Sequence, residues 1–299
     1  MPLSITIITP SFNQGPFLER TIRSVIAQTE AEPCFRGRLE HWVIDGGSRD
    51  ESIDILKRYG DRLQWVSEKD RGHPDAVNKG LARATGDIIG WLNSDDIYYP
   101  GAVATAMEIF ERRPDVDVVY GNGNHIDEHD RFLEPYPTEE WNFERLKEVC
   151  YLCQPAVFFR RSLVERYGPL DLQWHYALDY EYWLRLGKNG ARFERIEQVL
   201  AATRLHAATK TLGQRIKVHA ENNDLLVALF GQATDRWLFA YAHAVLDDRG
   251  LPRGTPRYSI EVALRSWAAA LKWNHRISRH MLRLGSLWIA NGLREAIRR

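Results

Sequence analysis

Short apolar, β-branched runs alternate with longer stretches whose apolar residues recur at helical spacing, and this alternation carries the chain to about residue 210. Residues 3–9 (LSITIIT) read as a strand, Pro10-Ser11-Phe12-Asn13-Gln14-Gly15 as a loop, and 17–28 as a helix through Phe17, Leu18, Ile22, Val25 and Ile26. A second strand at 41–45 is followed by Gly46-Gly47-Ser48-Arg49-Asp50 and a helix at 53–59; a third strand is expected at 63–66 and a helix at 75–84 behind Pro74. The run Asp87 to Leu92 predicts a buried strand that stops abruptly at Asn93-Ser94-Asp95-Asp96. Beyond Pro100 the pattern gives a helix at 102–113, a strand at 116–120 ending in Gly121-Asn122-Gly123, and a hairpin or loop at 127–137. A helix at 141–150, a strand at 154–161 and an amphipathic helix at 178–186 complete this part.

Strands separated by helices of about ten residues predict βαβ units on a mostly parallel sheet with helices on both faces. In such a sheet the loops that follow the strands share one edge, which is where open α/β sheets bind ligands. The loops of Ser11 and Asn13, of Asp45 and Ser48, of Glu68 and Asp70, and the Asp95-Asp96 turn should therefore converge. They offer acceptors for a base and ribose (Asn13, Asp45, Asp95) and glycines that admit a ligand to the backbone (Gly46, Gly47, Gly72). No GxGxxG follows the first strand and no GxxxxGK[ST] is present, so dinucleotide and P-loop readings lack their phosphate cradle. Adjacent carboxylates repel unless a cation or donor neutralises them, so Asp95-Asp96 is either a solvated turn or a site for a hard divalent ion and sugar-nucleotide hydroxyls.

Helices alone are expected after about Gly213, at 215–230, 236–246 and from 258 onward, with a linker at 250–256. The organisation expected is therefore a domain at 1–212 and a helical extension at 213–299. Composition adds exclusions: 40 Lys+Arg balance 40 Asp+Glu, so no bulk charge favours nucleic acid. Residues 260–299 depart from this balance, with eight Lys/Arg against Glu261 and Glu295 and with Trp267, Trp273 and Trp288 among them. That tail reads either as a peripheral contact with an anionic membrane or as a helical cap on the catalytic domain or a dimer partner. Three cysteines favour a reducing cytoplasm, and Cys150 and Cys153, with no second pair, read as structural thiols. The N-terminus shows no basic-then-apolar leader and no run reaches the roughly eighteen apolar residues of a membrane span.

The ordered series Pro10-Ser11-Phe12-Asn13, Val43-Ile44-Asp45-Gly46-Gly47-Ser48-Arg49-Asp50, Asp70-Arg71-Gly72 with Asp75-Ala76-Val77-Asn78-Lys79-Gly80, and Leu92-Asn93-Ser94-Asp95-Asp96 resembles the inverting family 2 glycosyltransferases. The resemblance spans roughly residues 3–210 and implies a glycosyltransferase-A fold, a Rossmann-like, mostly parallel sheet flanked by helices, followed by the helical extension. It implies a nucleoside diphosphate sugar donor, preferably UDP-linked, a divalent cation (Mn2+ or Mg2+), and a glycan or lipid-linked hydroxyl acceptor in cell-envelope polysaccharide synthesis, at or near the cytoplasmic membrane face. Nucleotide contacts are implied for Pro10, Ser11, Asn13, Asp45 (to the base), Gly46, Asp70, Asn78, Lys79 and Asp95, and metal ligands in Asp95, Asp96 and His206. Asn93 replaces the family's usual first carboxylate. Asp179 matches the catalytic base and Glu181 the second acidic position, with Leu178 in place of the preceding acid; by spacing alone these acids would equally favour a helix dipole. Arg204-x-His206 resembles the family's Arg-x-His segment, where Lys210 is a further candidate, whereas a lone His after a strand is by itself as readily structural. Arg160-Arg161 is either exposed charge or a phosphate contact. An inert sugar-nucleotide-binding scaffold on the same fold is the alternative; a nucleotidyltransferase is disfavoured because Pro10 to Gly15 carries no basic residue.

Overall fold

The computed structural model describes residues 2–31, 38–206, 209 and 213–297. Contacts divide the chain into two units, Met1–Phe143 with Tyr151–His206, and Glu144–Cys150 with Ala207–Arg299. The first is built on one sheet. Its strands are β1 (Ile5–Ser11), β2 (Leu39–Asp45), β3 (Gln64–Ser67), β4 (Ile88–Trp91), β5 (Ile97–Tyr98), β6 (Val118–Ile126), β7 (Phe132–Pro135), β8 (Val157–Arg160) and β9 (Phe193–Arg204). The order is β3-β2-β1-β4-β8-β6-β9-β5, with β7 on β6. β3, β2, β1 and β4 run parallel, as βαβ connections require; β8 enters antiparallel between β4 and β6.

Helices α1 (Gly15–Ala31), α2 (Ser52–Tyr59), α3 (His73–Arg83) and α4 (Ala102–Arg112) cover the parallel half. Strand alternation decides which side each meets. Ile5 and Ile7 of β1 join Val103, Met107 and Phe110 of α4 in one core, and Val43 of β2 joins Leu18, Ile22, Ile55 and Leu56 of α1 and α2. Ile8 points the other way, against α3, where a Cβ on Gly80 would stand 2.3 Å from Ile8 Cγ2. Short helices α5 (Phe143–Glu148) and α6 (Ser162–Tyr167) and the longer α7 (Leu178–Lys188) follow.

Three local expectations change. β6 does not end at its glycines but runs on to Ile126, because Gly121 and Gly123 serve close approach: Cβ atoms there would meet Leu200 Cγ at 2.4 Å and Cys153 Sγ at 2.2 Å. The strand expected at 154–161 opens with a 3-10 turn at Gln154–Ala156, and the helix at 141–150 shortens to α5. The expected hairpin forms from β6 and β7.

The second unit is helical: α8 (Arg215–Phe230), α9 (Asp235–Asp248), α10 (Pro256–Asn274) and α11 (Arg279–Ile297). The single helix expected from residue 258 is thus two, broken where His275 adopts φ 56°. Thr255 caps α10, its hydroxyl accepting from Tyr258 N–H, ahead of Pro256 at the first turn. Leu238, Ala269, Ala270, Trp273 and Met281 form its core. Among the described residues, no helix is long and apolar enough to cross a membrane.

Candidate active site

Strand polarity brings the loops after β1, β2, β3 and β4 to one edge. Ser11 pairs with Asp45 and Asp45 with Ser67, while Gly46 N–H donates to Ser11 O at 2.8 Å and Leu92 N–H to Ile8 O at 3.0 Å. Asp45 is fully buried. Its Oδ2 accepts from the N–H groups of Gly47 and Ser48 (both 2.9 Å) and from Ser67 Oγ (2.6 Å), and its Oδ1 from Ser48 Oγ. The carboxylate expected to meet a base shapes the loop. Asn13, at φ 52°, donates its N–H to Ser48 Oγ (2.7 Å) and accepts from Arg49 N–H (2.9 Å), so the first two loops are laced together. Pro10 is buried at the end of β1, and the buried Ser11 hydroxyl has no hydrogen-bond partner among the described residues, a cost that folded proteins rarely carry without a use.

Gly46 is required by its neighbour, since a Cβ there would lie 2.5 Å from Asp70 Oδ2; Asp70 Oδ1 in turn accepts from Gly72 N–H at 2.8 Å. Two residues expected at the nucleotide are engaged within the protein. Asn78 clamps Leu170 with both ends of its amide (2.8 and 2.9 Å), and Lys79 bonds Lys69 O and Glu68 (both 3.0 Å). Both lie on α3, where Asn78 fixes the segment at Leu170 and Lys79 fixes the loop that follows β3.

After β4 the chain turns under tight control. Thr21 Oγ1 of α1 donates to the carbonyls of Ser94 (2.9 Å) and Asp96 (2.7 Å). Asn93 is a four-way junction: its Oδ1 accepts from Trp91 Nε1 (2.9 Å) and bonds His73 Nε2 (3.0 Å), and its Nδ2 donates to Gln154 Oε1 (2.9 Å) and Asp96 Oδ2 (3.2 Å). A carboxylate could not make those last two donations, which gives the departure from the usual acid a structural reason. Asp96 is buried and also accepts from Arg204 N–H at 3.0 Å. Burial first, then the charge of Asp95, push its carboxyl up to about 8. Asp95 remains partly open and its Oδ2 lies 3.1 Å from His206 Nε2, with the imidazole tilted at 37° to the Phe17 ring, centroids 4.6 Å apart. Arg204, wholly buried, donates to Asp95 O and to Asp130 of the β6–β7 hairpin and lies over Phe17.

α7 presents the remaining acids. Asp179 is half-buried at its first turn, accepting from Tyr180 N–H at 2.8 Å. The buried Cys153 thiol is pushed up by burial first, then by the charge of Asp96 and, least, by that of Asp179. Glu181 is buried in a two-point pair with Arg185 (2.7 and 3.0 Å), one turn on, and Arg185 holds the carbonyls of Tyr167, Gly168 and Pro169. Arg160 and Arg161 bond backbone carbonyls at the opposite sheet edge, Arg160 that of Val116 (2.7 Å) and Arg161 that of Gly86 (2.9 Å), so they are framework and not phosphate contacts.

A sequence model described as Glycosyl transferase family 2 matches residues 6–168. The chain belongs to that family. This transferase is 38% identical over 185 residues to an uncharacterized glycosyltransferase of Mycobacterium tuberculosis, covering 61% of this chain and 68% of that one. It is 30% identical over 204 residues (66% and 75% of the two chains) to a PGL/p-HBAD biosynthesis glycosyltransferase of the same species. Among solved structures, Staphylococcus aureus TarS 1–349 in complex with UDP-GlcNAc aligns with TM-score 0.66 at 13% identity, covering 97% of this chain and 89% of that one. The Pyrobaculum calidifontis mannosyltransferase PcManGT, in complex with GDP-Man and Mn2+, aligns with TM-score 0.61 at 19% identity, covering 98% and 81%. These structural likenesses establish the glycosyltransferase-A fold.

For the divalent cation expected of the transferase, the structure brings two of the three named ligands together. Asp95 and His206 supply an oxygen and a nitrogen at contact distance, a donor pair that suits a manganese-type ion whose other positions are filled by ligand oxygens. Asp96 faces inward, and among the described residues no group of three His, Cys, Asp or Glu side chains converges. Lys210 lies outside the described residues. Thr21, His73, Gln154 and Asp130, which frame the transferase's turn, carry no local sequence signal; their partners lie 20 or more positions away.

Proposed function

We propose that this transferase moves a sugar from a nucleoside diphosphate donor to a hydroxyl of a glycan or lipid-linked acceptor with inversion at the anomeric carbon. The observation that carries the reading is the Asp95–His206 pair at the sheet edge where the four loops converge, with Asp179 in the first turn of α7 as the candidate base. Donors bound by proteins of this fold, UDP-GlcNAc by TarS and GDP-Man by PcManGT, support a nucleotide-sugar donor, and UDP is the preferred nucleotide.

In this reading the loops of Ser11–Asn13 and Asp45–Ser48 frame the nucleotide, with the unpartnered Ser11 hydroxyl and the backbone around Gly46 turned to it. Asp95 and His206 would hold a divalent ion, which when bound stabilises the negative charge that grows on the departing diphosphate. Asp179 takes the proton of the acceptor hydroxyl as that oxygen attacks, the step that direct displacement requires. Asp96 holds the turn and Glu181 holds α7. The catalytic reading belongs to 1–212, with 213–299 as an extension whose exposed Leu264, Leu271, Leu282 and Leu287 stand among Arg265, Lys272 and Arg283 and support a contact with an anionic membrane at its cytoplasmic face. The PGL/p-HBAD relative supports a cell-envelope acceptor.

The test is transfer or donor hydrolysis by the purified protein with UDP-, GDP- and dTDP-sugars, with manganese and with EDTA. Activity with one donor, lost with EDTA and reduced at least 100-fold in Asp179→Asn at unchanged donor affinity, is expected. Nucleotide binding without turnover on any donor would instead favour the inert-scaffold reading, and full activity of Asp179→Asn would refute the assigned base.

A further inference from the structure

The helical unit contains an open cleft of about 1100 Å³ that takes no part in the chemistry described above. Four arginines line it, Arg145 on α5, Arg236 on the first turn of α9, Arg276 in the α10–α11 connection and Arg279 at the start of α11. Only two carboxylates, Glu148 and Asp235, share the lining. Asp235 is already engaged, its Oδ2 accepting from Ser278 Oγ (2.6 Å) and lying 3.1 Å from His280 Nδ1. Arg236 and Arg279 are exposed and have no ion-pair or hydrogen-bond partner among the described residues, and Arg276 bonds only a neutral group, Gln232 Oε1, at 2.8 Å. Gathering like charges around a concavity raises the local concentration of anions.

Backbone electrostatics point the same way. The first turns of α9 and α11 both line the cleft, so the positive ends of two helices open on it. The frame is rigid. Asn274 bonds Ala233 through both N–H (2.8 Å) and carbonyl (2.9 Å), and Ser278 Oγ, besides holding Asp235, accepts from Met281 N–H at 3.0 Å. One wall is apolar and aromatic, with Phe239 and Trp288 meeting edge to face at 5.2 Å. The unpaired guanidiniums of Arg236 and Arg279, two helix N-termini and an aromatic wall on a fixed frame match a phosphate ester whose alcohol portion is a sugar ring or a hydrocarbon.

We propose that this cleft is a second binding site, specific for a phosphate or diphosphate ester carried by a sugar or by a lipid headgroup. Binding itself does not depend on the transferase reading; if that reading holds, the site names a phosphate-bearing acceptor as the class of substrate.

The test is calorimetric titration of the full chain with inorganic pyrophosphate and glucose 1-phosphate, and co-sedimentation with phosphatidic acid vesicles against phosphatidylcholine vesicles. Each is repeated on Arg236→Gln/Arg279→Gln, with circular dichroism melting to show that the variant folds; both side chains are exposed, so the fold is expected to survive. Binding of either soluble phosphate, weakened at least tenfold in the variant, supports the proposal and assigns a free phosphate ester. Binding of phosphatidic acid vesicles alone, weakened likewise, supports it and assigns a lipid headgroup. No binding of any probe, or binding that the variant leaves unchanged, overturns it. UDP and GDP titrated against the Arg236→Gln/Arg279→Gln variant report on the sheet edge: failure there, with glucose 1-phosphate bound by the wild type, counts against the transferase reading and leaves the cleft standing.

Discussion

Replacing Asn93 by Asp restores the carboxylate that the family usually has at this position, yet the structure predicts that it damages this protein. Asn93 Nδ2 donates to Gln154 Oε1 at 2.9 Å and to Asp96 Oδ2 at 3.2 Å, and an aspartate would set an oxygen against each acceptor. Gln154 could turn its amide over to meet the new carboxylate, but its Nε2 would then leave the Trp91 carbonyl, 2.7 Å away. At least one buried hydrogen bond is therefore lost in either orientation, and Asp96 loses its amide donor in both. A buried acceptor left unsatisfied costs about 1–3 kcal/mol, so the two losses together come to roughly 2–6 kcal/mol. For a protein of this size each kcal/mol lowers Tm by about 2–4 °C, giving an expected fall of roughly 4–24 °C. Differential scanning calorimetry in EDTA at neutral pH, on the wild type and Asn93→Asp, measures it. A melting temperature within a degree of the wild type would refute the account of Asn93 as a donor to Asp96 and Gln154.

Two further outcomes follow from buried groups. Glu181→Gln leaves Arg185 without its buried partner, so a loss of about 3–5 kcal/mol in urea unfolding is expected; activity at low temperature should survive, in contrast to Asp179→Asn, and a stable but inactive Glu181→Gln would return Glu181 to the chemistry. Burial pulls His41 down to about 3, with Nε2 3.0 Å from Thr9 Oγ1. Because the unfolded chain binds the proton and the folded chain does not, stability is full above about pH 6.5 and falls by about 1.4 kcal/mol per pH unit below it, towards pH 3. Unfolding measured at pH 7 and pH 5.5 should show a smaller difference in His41→Gln, and an equal difference would remove His41 as a source of acid sensitivity.

Period-2 and period-3.6 patterns disclosed the parallel half of the sheet and the convergence of its loops, because both depend on local alternation. Side-chain commitments were hidden wherever the partner is distant. Nothing near Asn78 announces Leu170, 92 positions on, and nothing near Asn93 announces Gln154, 61 positions on. Glu181 is the instructive case: its partner Arg185 is four residues away and visible, but whether such a pair is a buried strut or an exposed ornament depends on packing that the chain does not spell out. Gly121 and Gly123 misled for a related reason, since a glycine that permits a turn and one that admits a neighbour look the same in a string of letters.

The one strand that enters β4's neighbourhood in reverse gives the molecule two differently employed ends. Because β8 runs antiparallel to β4, Ile88 faces Arg160 in register while Gly90 faces Phe158, and the chain just before β8 arrives where β4 leaves off. Cys153 and Gln154 are thereby delivered to the working edge, and Arg160 and Arg161 to the blind one. That blind edge is a handle. A dye, an affinity tag or an immobilising linker placed at the exposed residues 113–115, beside Arg160, would leave the working edge open to ligands, whereas the same attachment after β2 or β4 would stand in its doorway.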